Sequence, residues 1–334
     1  MLRIGGVSIQ DFPEGWERRI VSFGSGGLGA LNGEPGAGEL VVEALAFVLL
    51  DPSYTRQVDN CFVEICVRYG RMGSILFKRR VRNGLERVYV NTKRCSIKFY
   101  KKELGFCGVE TELIPCAIKH QFSKEFPPTE TRILDNLFKG LSGINEKELR
   151  MEELRNELAV SESRINRAFG ARDRQREEDD QKIMEIELRE IAGSLGTVLP
   201  DYLRNVSARA SNLYPETMDG GPLRIDFQLE RNDDGGQDVV LRVHFQGQDM
   251  EWADLPPIVK EFAELSLRLA ILETKNSPIL IMSNVGVGFE QRHHVLLYNM
   301  LRAQHHQVLI VNKDNAFRDH FINIIPHLYT QSFT

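Results

Sequence analysis

The segment Gly33 to Leu40, GEPGAGEL, has the glycine spacing of a loop that cradles phosphate. Such a loop aims backbone N–H groups at the phosphate oxygens, adds the charge of a lysine, and holds Mg²⁺ through a Ser or Thr hydroxyl. Gly33, Gly36 and Gly38 keep the backbone part, but the lysine position is Glu39 and the hydroxyl position is Leu40. An ammonium about 4 Å from a phosphate charge is worth roughly 4 kcal/mol at an effective dielectric of about 20, so a carboxylate there makes a swing of roughly 8 kcal/mol. Tight ATP binding in the usual manner is not expected.

Other residues that could do chemistry are sparse. His293-His294 and His305-His306 raise metal ligation, but no cysteine or carboxylate cluster stands at ligand spacing, which favours surface or helix-end histidines and no metal. Asp233-Asp234 lies in a glycine-rich turn and reads as a solvated hairpin tip rather than a catalytic dyad. The basic stretch Lys78 to Lys102, led by Lys78, Arg79 and Arg80, is either a solvated face of strands or a surface that tracks DNA. Trp252 and Phe262 read as core residues, with exposed partner anchors as the alternative.

The elements that would position these residues follow from pattern. LRIGGVSIQDF and RRIVSFG alternate as strands, and ELVVEALAFVLL has helical spacing, so the glycine loop sits between a strand and a helix. CFVEICVRYG, SILFKRRV and ERVYVNT are strands, and Asn83-Gly84 marks a hairpin. From about Asn145 to Asn212 the composition turns to Glu, Arg, Asp, Lys, Leu and Ile. A narrow helical seam is expected at Leu149, Leu154, Leu158, Ile165 and Phe169, and again at Ile183, Ile186, Ile191 and Leu195. Ala171 to Lys182 has no apolar residue before Ile183 and is expected to be the turn of an antiparallel hairpin, with one long helix or a linker as the alternatives. PLRIDFQLE and QDVVLRVHFQG then read as strands. PPIVKEFAELSLRLAILET and FEQRHHVLLYNMLRAQ read as helices that alternate with the apolar strands SPILIMSN and HQVLIVNK, which predicts a parallel sheet covered on both faces.

Composition bounds the function classes. A chain of 334 residues with 42% hydrophobic and 27% charged residues and a net charge of -5 gives no reason to expect a uniformly basic nucleic-acid binder. Five cysteines without a C-x-x-C pair predict a reduced compartment and no structural zinc. The longest apolar run, VVEALAFVLL, is too short to span a bilayer.

A phosphate-loop lobe, a helical excursion and a returning strand-helix-strand lobe together resemble the ATPase head of the SMC (structural maintenance of chromosomes) family. The resemblance rests on LNGEPGAGELVVEALAFVLL, ERVYVN, FPPTETRILDNLFKGLSGIN, GPLRIDFQLE and SPILIMSNVGVGFEQRHHVLLYNML. It implies an α/β fold, a P-loop NTPase head of the ABC/SMC type with mixed β-sheets and a short antiparallel helical insertion. Residues 1–144 would form the N-terminal lobe, 145–212 a truncated coiled coil with no hinge, and 213–334 the C-terminal lobe.

The same resemblance places further losses. The Walker B Asp-Glu becomes Ser283-Asn284, the signature serine and glycines become Leu255, Pro256, Pro257 and Ile258, the D-loop aspartate becomes Glu290, and the switch histidine becomes Lys313. Ser and Asn cannot act as a general base near neutral pH, and proline brings no N–H to an anion cradle. Gln121 falls near the sensor glutamine position. The expectation is a head with no catalytic residues, no cofactor and no metal that meets SMC subunits or a kleisin of a condensin- or cohesin-type complex and regulates it, with the nucleus favoured over the cytoplasm. The alternatives are a DNA-binding or scaffold protein acting through Lys78, Arg79 and Arg80, and an ATP-binding protein with an altered site.

Overall fold

The computed structural model of the chain describes residues 2–12, 19–23, 28–31, 37–52, 54, 57–69, 73–120, 123, 125–167, 171–216, 218, 221–232, 237–303 and 307–311. Strands β1 (Leu2–Gln10) and β2 (Arg19–Ser22) pair antiparallel, β3 (Leu28–Leu31) joins a different sheet, and helix α1 (Ala37–Val48) follows it. β4 (Phe62–Tyr69), β5 (Gly73–Arg82), β6 (Leu85–Val90) and β7 (Lys93–Cys95) complete an antiparallel sheet in the order β2-β1-β4-β5-β6-β7. Asn83 and Gly84 join β5 to β6 with φ of 52° and 69°, the two left-handed residues a type I′ hairpin requires. Val63, Ile65, Val67, Phe77 and Val88 are buried on one face of this sheet.

The basic stretch does not stay extended to Lys102. Ser96 caps a helix, α2 (Ile97–Phe106), its Oγ accepting from the Phe99 N–H at 3.2 Å. A serine followed by residues with no strand alternation is an N-terminus signal, and it overrides the strand reading of the last part of the segment. Helix α3 (Ile114–Ala117) and the short β8 (Ile118–Lys119) follow, then α4 (Thr131–Ser142), which Gly143 ends at φ 78°.

Helices α5 (Ile144–Arg167) and α6 (Ala171–Leu213) run antiparallel. Lys147 Nζ donates to Ser194 Oγ at 2.8 Å, Arg150 holds both carboxylate oxygens of Glu187, and Ser161 Oγ donates to Glu177, so position numbers rise on one helix as they fall on the other. Two expectations are corrected. Ala171–Lys182 is helix rather than turn, because Arg, Gln, Glu and Lys are good helix formers and the stretch has no Gly or Pro to stop one. Leu149, Ile183 and Ile186 are exposed, while Leu154 is buried and Leu158, Ile165, Ile191 and Leu195 are half-buried, so the seam is narrower than expected and partly polar. Phe169 lies outside the described residues.

Beyond the hairpin, β9 (Leu223–Arg231), β10 (Gln237–Phe245) and β11 (Gln248–Met250) form a three-stranded sheet in the order β11-β10-β9. Then come α7 (Pro257–Thr274), β12 (Ile279–Ser283), α8 (Gln291–Arg302) and β13 (Gln307–Val311). The expected parallel sheet is present, in the order β3-β13-β12-β8, with every residue of β12 and β13 buried. Strands from positions near 30, 120, 280 and 310 share it, so both ends of the chain build one sheet.

Two compact units emerge from the packing: residues 1–127, 206–225 and 243–334 in one, 128–205 and 226–242 in the other. In the second, the Phe138 ring is tilted against Phe227 with centroids 4.4 Å apart and lies 6.3 Å from Tyr202, an aromatic cluster at the base of the helical hairpin. Among the described residues no helix is long and apolar enough to cross a membrane.

Candidate functional site

In open parallel sheets, ligands bind outside the carboxyl ends of the strands. At this edge the registers align Leu31 with Val311, Val311 with Ser283, and Met282 with Lys119. The glycine segment enters here: β3 ends at Leu31 and α1 begins at Ala37, with Gly33 and Gly36 outside the described residues. Gly38 lies against β13, where a Cβ would stand 2.4 Å from Val311 Cγ1. Its missing side chain therefore lets the start of α1 approach the strand, a packing reason for glycine that holds whether or not phosphate binds. Glu39 is buried, with 6% of its surface exposed, in the first turn of α1, and Leu40 is half-buried beside it.

Ser283 ends β12, its Oγ donating to the Lys119 carbonyl at 3.2 Å. Asn284 follows with φ 57°, a left-handed conformation Asn tolerates, and its N–H donates to the Val311 carbonyl at 2.8 Å. The Asn284 Oδ1 is buried with no hydrogen-bond partner among the described residues. Leu255 is buried, Pro256 is the N-cap of α7 and Pro257 its first residue, with no side-chain cap. Trp252 and Phe262 are both core residues, as expected.

Glu290 is also an N-cap, of α8. Its side chain accepts from the backbone of His293 while His293 Nδ1 faces the Glu290 N–H at 3.3 Å, a reciprocal capping box. His293 and His294 are buried in the first turn of α8, so of the surface and helix-end placements expected the helix end is the one found. Phe289 stacks on Phe262 and touches both imidazoles, and His294 Nε2 lies 3.3 Å from the Gly286 carbonyl. Among the described residues no group of three His, Cys, Asp or Glu could hold a metal. Gln121, Asp233, Asp234, His305, His306 and Lys313 lie outside the described residues.

Further carboxylates near this edge come from α7, Glu261 and Glu264, which the sequence reading did not single out. Glu261 Oε1 accepts from the Gly286 N–H at 2.7 Å, and burial pushes its carboxyl up. Glu264 holds Lys119 Nζ at 2.8 Å and Arg268 Nε at 2.8 Å. Burial pushes the Glu264 carboxyl up, but Arg268 and Lys119 together outweigh it and hold the group below the ordinary glutamate value. Nearby, His120 Nε2 lies 3.2 Å from Asp51 Oδ2 with both side chains fully buried, and the Tyr54 ring meets the imidazole edge on. The signal in the sequence was a charge inside an apolar run: Arg268 stands in LSLRLAIL.

Lys78, Arg79 and Arg80 do not form one patch, because successive strand residues point to opposite faces. Arg79 is on the packed side: Nη1 donates to the Phe47 carbonyl at 2.6 Å, Nε pairs with Glu86 at 2.9 Å, and the guanidinium lies 4.2 Å over the Phe47 ring. The outer face carries Lys78 opposite Glu64 and Tyr89, and Arg80 opposite Phe62 and Arg87. Strand parity adds Arg68, Arg82 and Arg94 to that face.

A parallel sheet entered by strand, glycine loop and helix, flanked by an antiparallel sheet and interrupted by an antiparallel helical hairpin, is the fold of SMC head domains. The Smc head domain of Pyrococcus furiosus, with an extended coiled coil and bound to the C-terminal domain of ScpA, is similar at a TM-score of 0.66 over 96% of this chain and 92% of that one, with 15% identity. That of Pyrococcus yayanosii, with a coiled coil and joint, is similar at 0.70 over 96% and 94%, with 12% identity. A third, an SmcHead bound to the C-winged helix domain of ScpA, is similar at 0.61 over 95% and 91%, with 12% identity. No family model matches the sequence, and no curated protein does.

Proposed function

We propose that this chain is a non-catalytic SMC-like head that binds subunits of a condensin- or cohesin-type SMC complex and regulates it as a competitor. The observation that carries the reading is Glu39, a carboxylate buried in the first turn of α1. A helix N-terminus favours a nearby negative charge, and in a working phosphate loop that charge is the phosphate's. Here the chain places a carboxylic side chain of its own, Glu39, at the position where such a loop has its lysine. Ser283 and Asn284 bring no acid to the end of β12, and Pro256 and Pro257 open α7 without the N–H groups of an anion cradle. A head that offers family surfaces but cannot close on ATP acts by occupying a partner. The Smc heads of similar fold that are bound to ScpA domains support a kleisin-type subunit as that partner.

Titration calorimetry with ATP and Mg²⁺ is expected to show no binding into the millimolar range, and micromolar binding would contradict the pseudo-ATPase reading. Adding the chain to a purified condensin-type complex is expected to lower its ATPase rate while the chain retains an SMC or kleisin subunit. A pull-down that recovers neither overturns the regulatory role.

A second reading, duplex DNA on the outer face of the first sheet, is favoured by Arg80 standing directly opposite Arg87. Like charges so placed are destabilising unless an anion lies over them. Replacing both by Ala is expected to reduce the salt slope of DNA binding by about 2. An unchanged slope rejects this reading.

A further inference from the structure

β7 and α2 expose a surface of mixed character. Lys93, Arg94, Lys98, Lys101 and Lys102 are exposed, and the one acid of the segment, Glu103, is half-buried. Among these cations stand three large apolar side chains: Ile97 is 48% exposed, Phe99 47% and Phe106 73%. Single exposed apolar residues are ordinary. Three on a ten-residue helix, ringed by five cations, are not.

The helix is held in one orientation by its other side. Tyr100 and Leu104 are fully buried, the Tyr100 hydroxyl donates to the Val48 carbonyl at 2.9 Å, and its ring meets Phe77 edge on at 5.3 Å. With 3.6 residues per turn, Phe99 and Phe106 fall on one stripe of the outward surface. Lys102 stands between them, its ammonium 5.5 Å from the Phe106 ring centre. Lys98 and Lys102 form the crest, Phe99 and Phe106 one flank, and Ile97 with Lys101 the other.

We propose that this face of α2 docks an acidic amphipathic helix of a protein partner, with two apolar anchors seven residues apart resting on Phe99 and Phe106 and carboxylates facing Lys98 and Lys102 on the crest. Charge complementarity selects the occupant. A lipid surface fits poorly, since the lysines of the crest would meet hydrocarbon before the rings on the flank. A second copy of this chain would bring five cations against five. The inference does not depend on how the nucleotide edge is read.

The test is fluorescence anisotropy of the full chain with a labelled glutamate-rich designed helix of about five turns that carries Leu and Phe seven positions apart, beside the same peptide with lysine for every glutamate. The acidic peptide is expected to bind in the micromolar range, at least about tenfold tighter than its lysine counterpart, and to weaken as salt rises. Phe106→Ser and Lys102→Glu, both at exposed positions and checked by unchanged circular dichroism, are each expected to weaken it at least about tenfold. Equal affinity for the two peptides, no binding, or binding that survives Phe106→Ser overturns the proposal. So does preferential binding of phosphatidylserine vesicles or duplex DNA through these residues, or a concentration-dependent dimer abolished by Phe106→Ser.

Discussion

Arg268→Ala is expected to cost about 3–5 kcal/mol of folding stability, read as a lower urea midpoint at unchanged slope. Arg268 is among the largest fully buried side chains, and its guanidinium is bonded at Nε and Nη1 and packed on its face. Nε donates to Glu264 at 2.8 Å, Nη1 to the carbonyls of Pro115 and Cys116 at 2.8 and 3.0 Å, and the plane lies 4.3 Å over the Phe126 ring. Truncation leaves the largely buried Glu264 carboxylate with Lys119 alone, two carbonyls without this donor, and a cavity. Arg268→Met keeps the apolar stem and is expected to lose less, because the cavity part is restored.

The pH dependence carries a sign. Glu264 has a depressed folded value, so its contribution is full above the ordinary value of 4.5 and is lost as pH falls through the depressed one. The gap between wild type and Arg268→Ala is therefore expected to narrow below about pH 4.5, leaving the part due to the carbonyl bonds, the Phe126 contact and the cavity. A deficit under about 1 kcal/mol at neutral pH would mean that water replaces the guanidinium and that the cluster is not sealed.

That cluster also shows what was legible in the sequence. β12 and β13 are apolar at most positions and bounded by turn residues, so a buried parallel strand was the natural reading, and the strand-loop-helix setting of Gly38 followed from the same local pattern. Local pattern failed where partners are distant. Arg268 makes two of its three hydrogen bonds with positions 153 and 152 residues away, and no periodicity of α7 reveals that Pro115 and Cys116 turn their carbonyls toward it. The hairpin failed for a different reason. An apolar gap at Ala171–Lys182 was expected to be a turn, yet helix formation there needs only good helix formers and charge pairs such as Arg174 with Glu178. Parity along β5 was readable in principle, and it separates Arg79 from Lys78 and Arg80 once the strand is placed.

Gln307 is the second such long-range residue, and its replacement by Ala is expected to cost about 2–4 kcal/mol. β2 pairs with β1 only from Gly6 to Ile9, and the register of β1 against β4 shifts between Ile4 and Gly6. Beyond that shift, the Gln307 amide serves Ile4 in place of a neighbouring strand: Ile4 N–H donates to Gln307 Oε1 at 2.7 Å and Gln307 Nε2 donates to the Ile4 carbonyl at 2.9 Å, all buried. Ala strands a donor and an acceptor together. Gln307→Glu separates this account from simple loss of volume. A neutral carboxyl can still accept from one group and donate to the other, whereas a carboxylate can only accept, and it turns a charged oxygen toward a carbonyl. Its folded pKa is therefore raised, so its contribution is full below the unfolded value of about 4.3 and is lost as pH rises through the folded one. The Gln307→Glu variant is expected to approach wild-type stability in mild acid and to fall well below it at neutral pH in urea titrations. A deficit that does not change with pH would show that Ile4 finds other partners and that the amide bridge is dispensable.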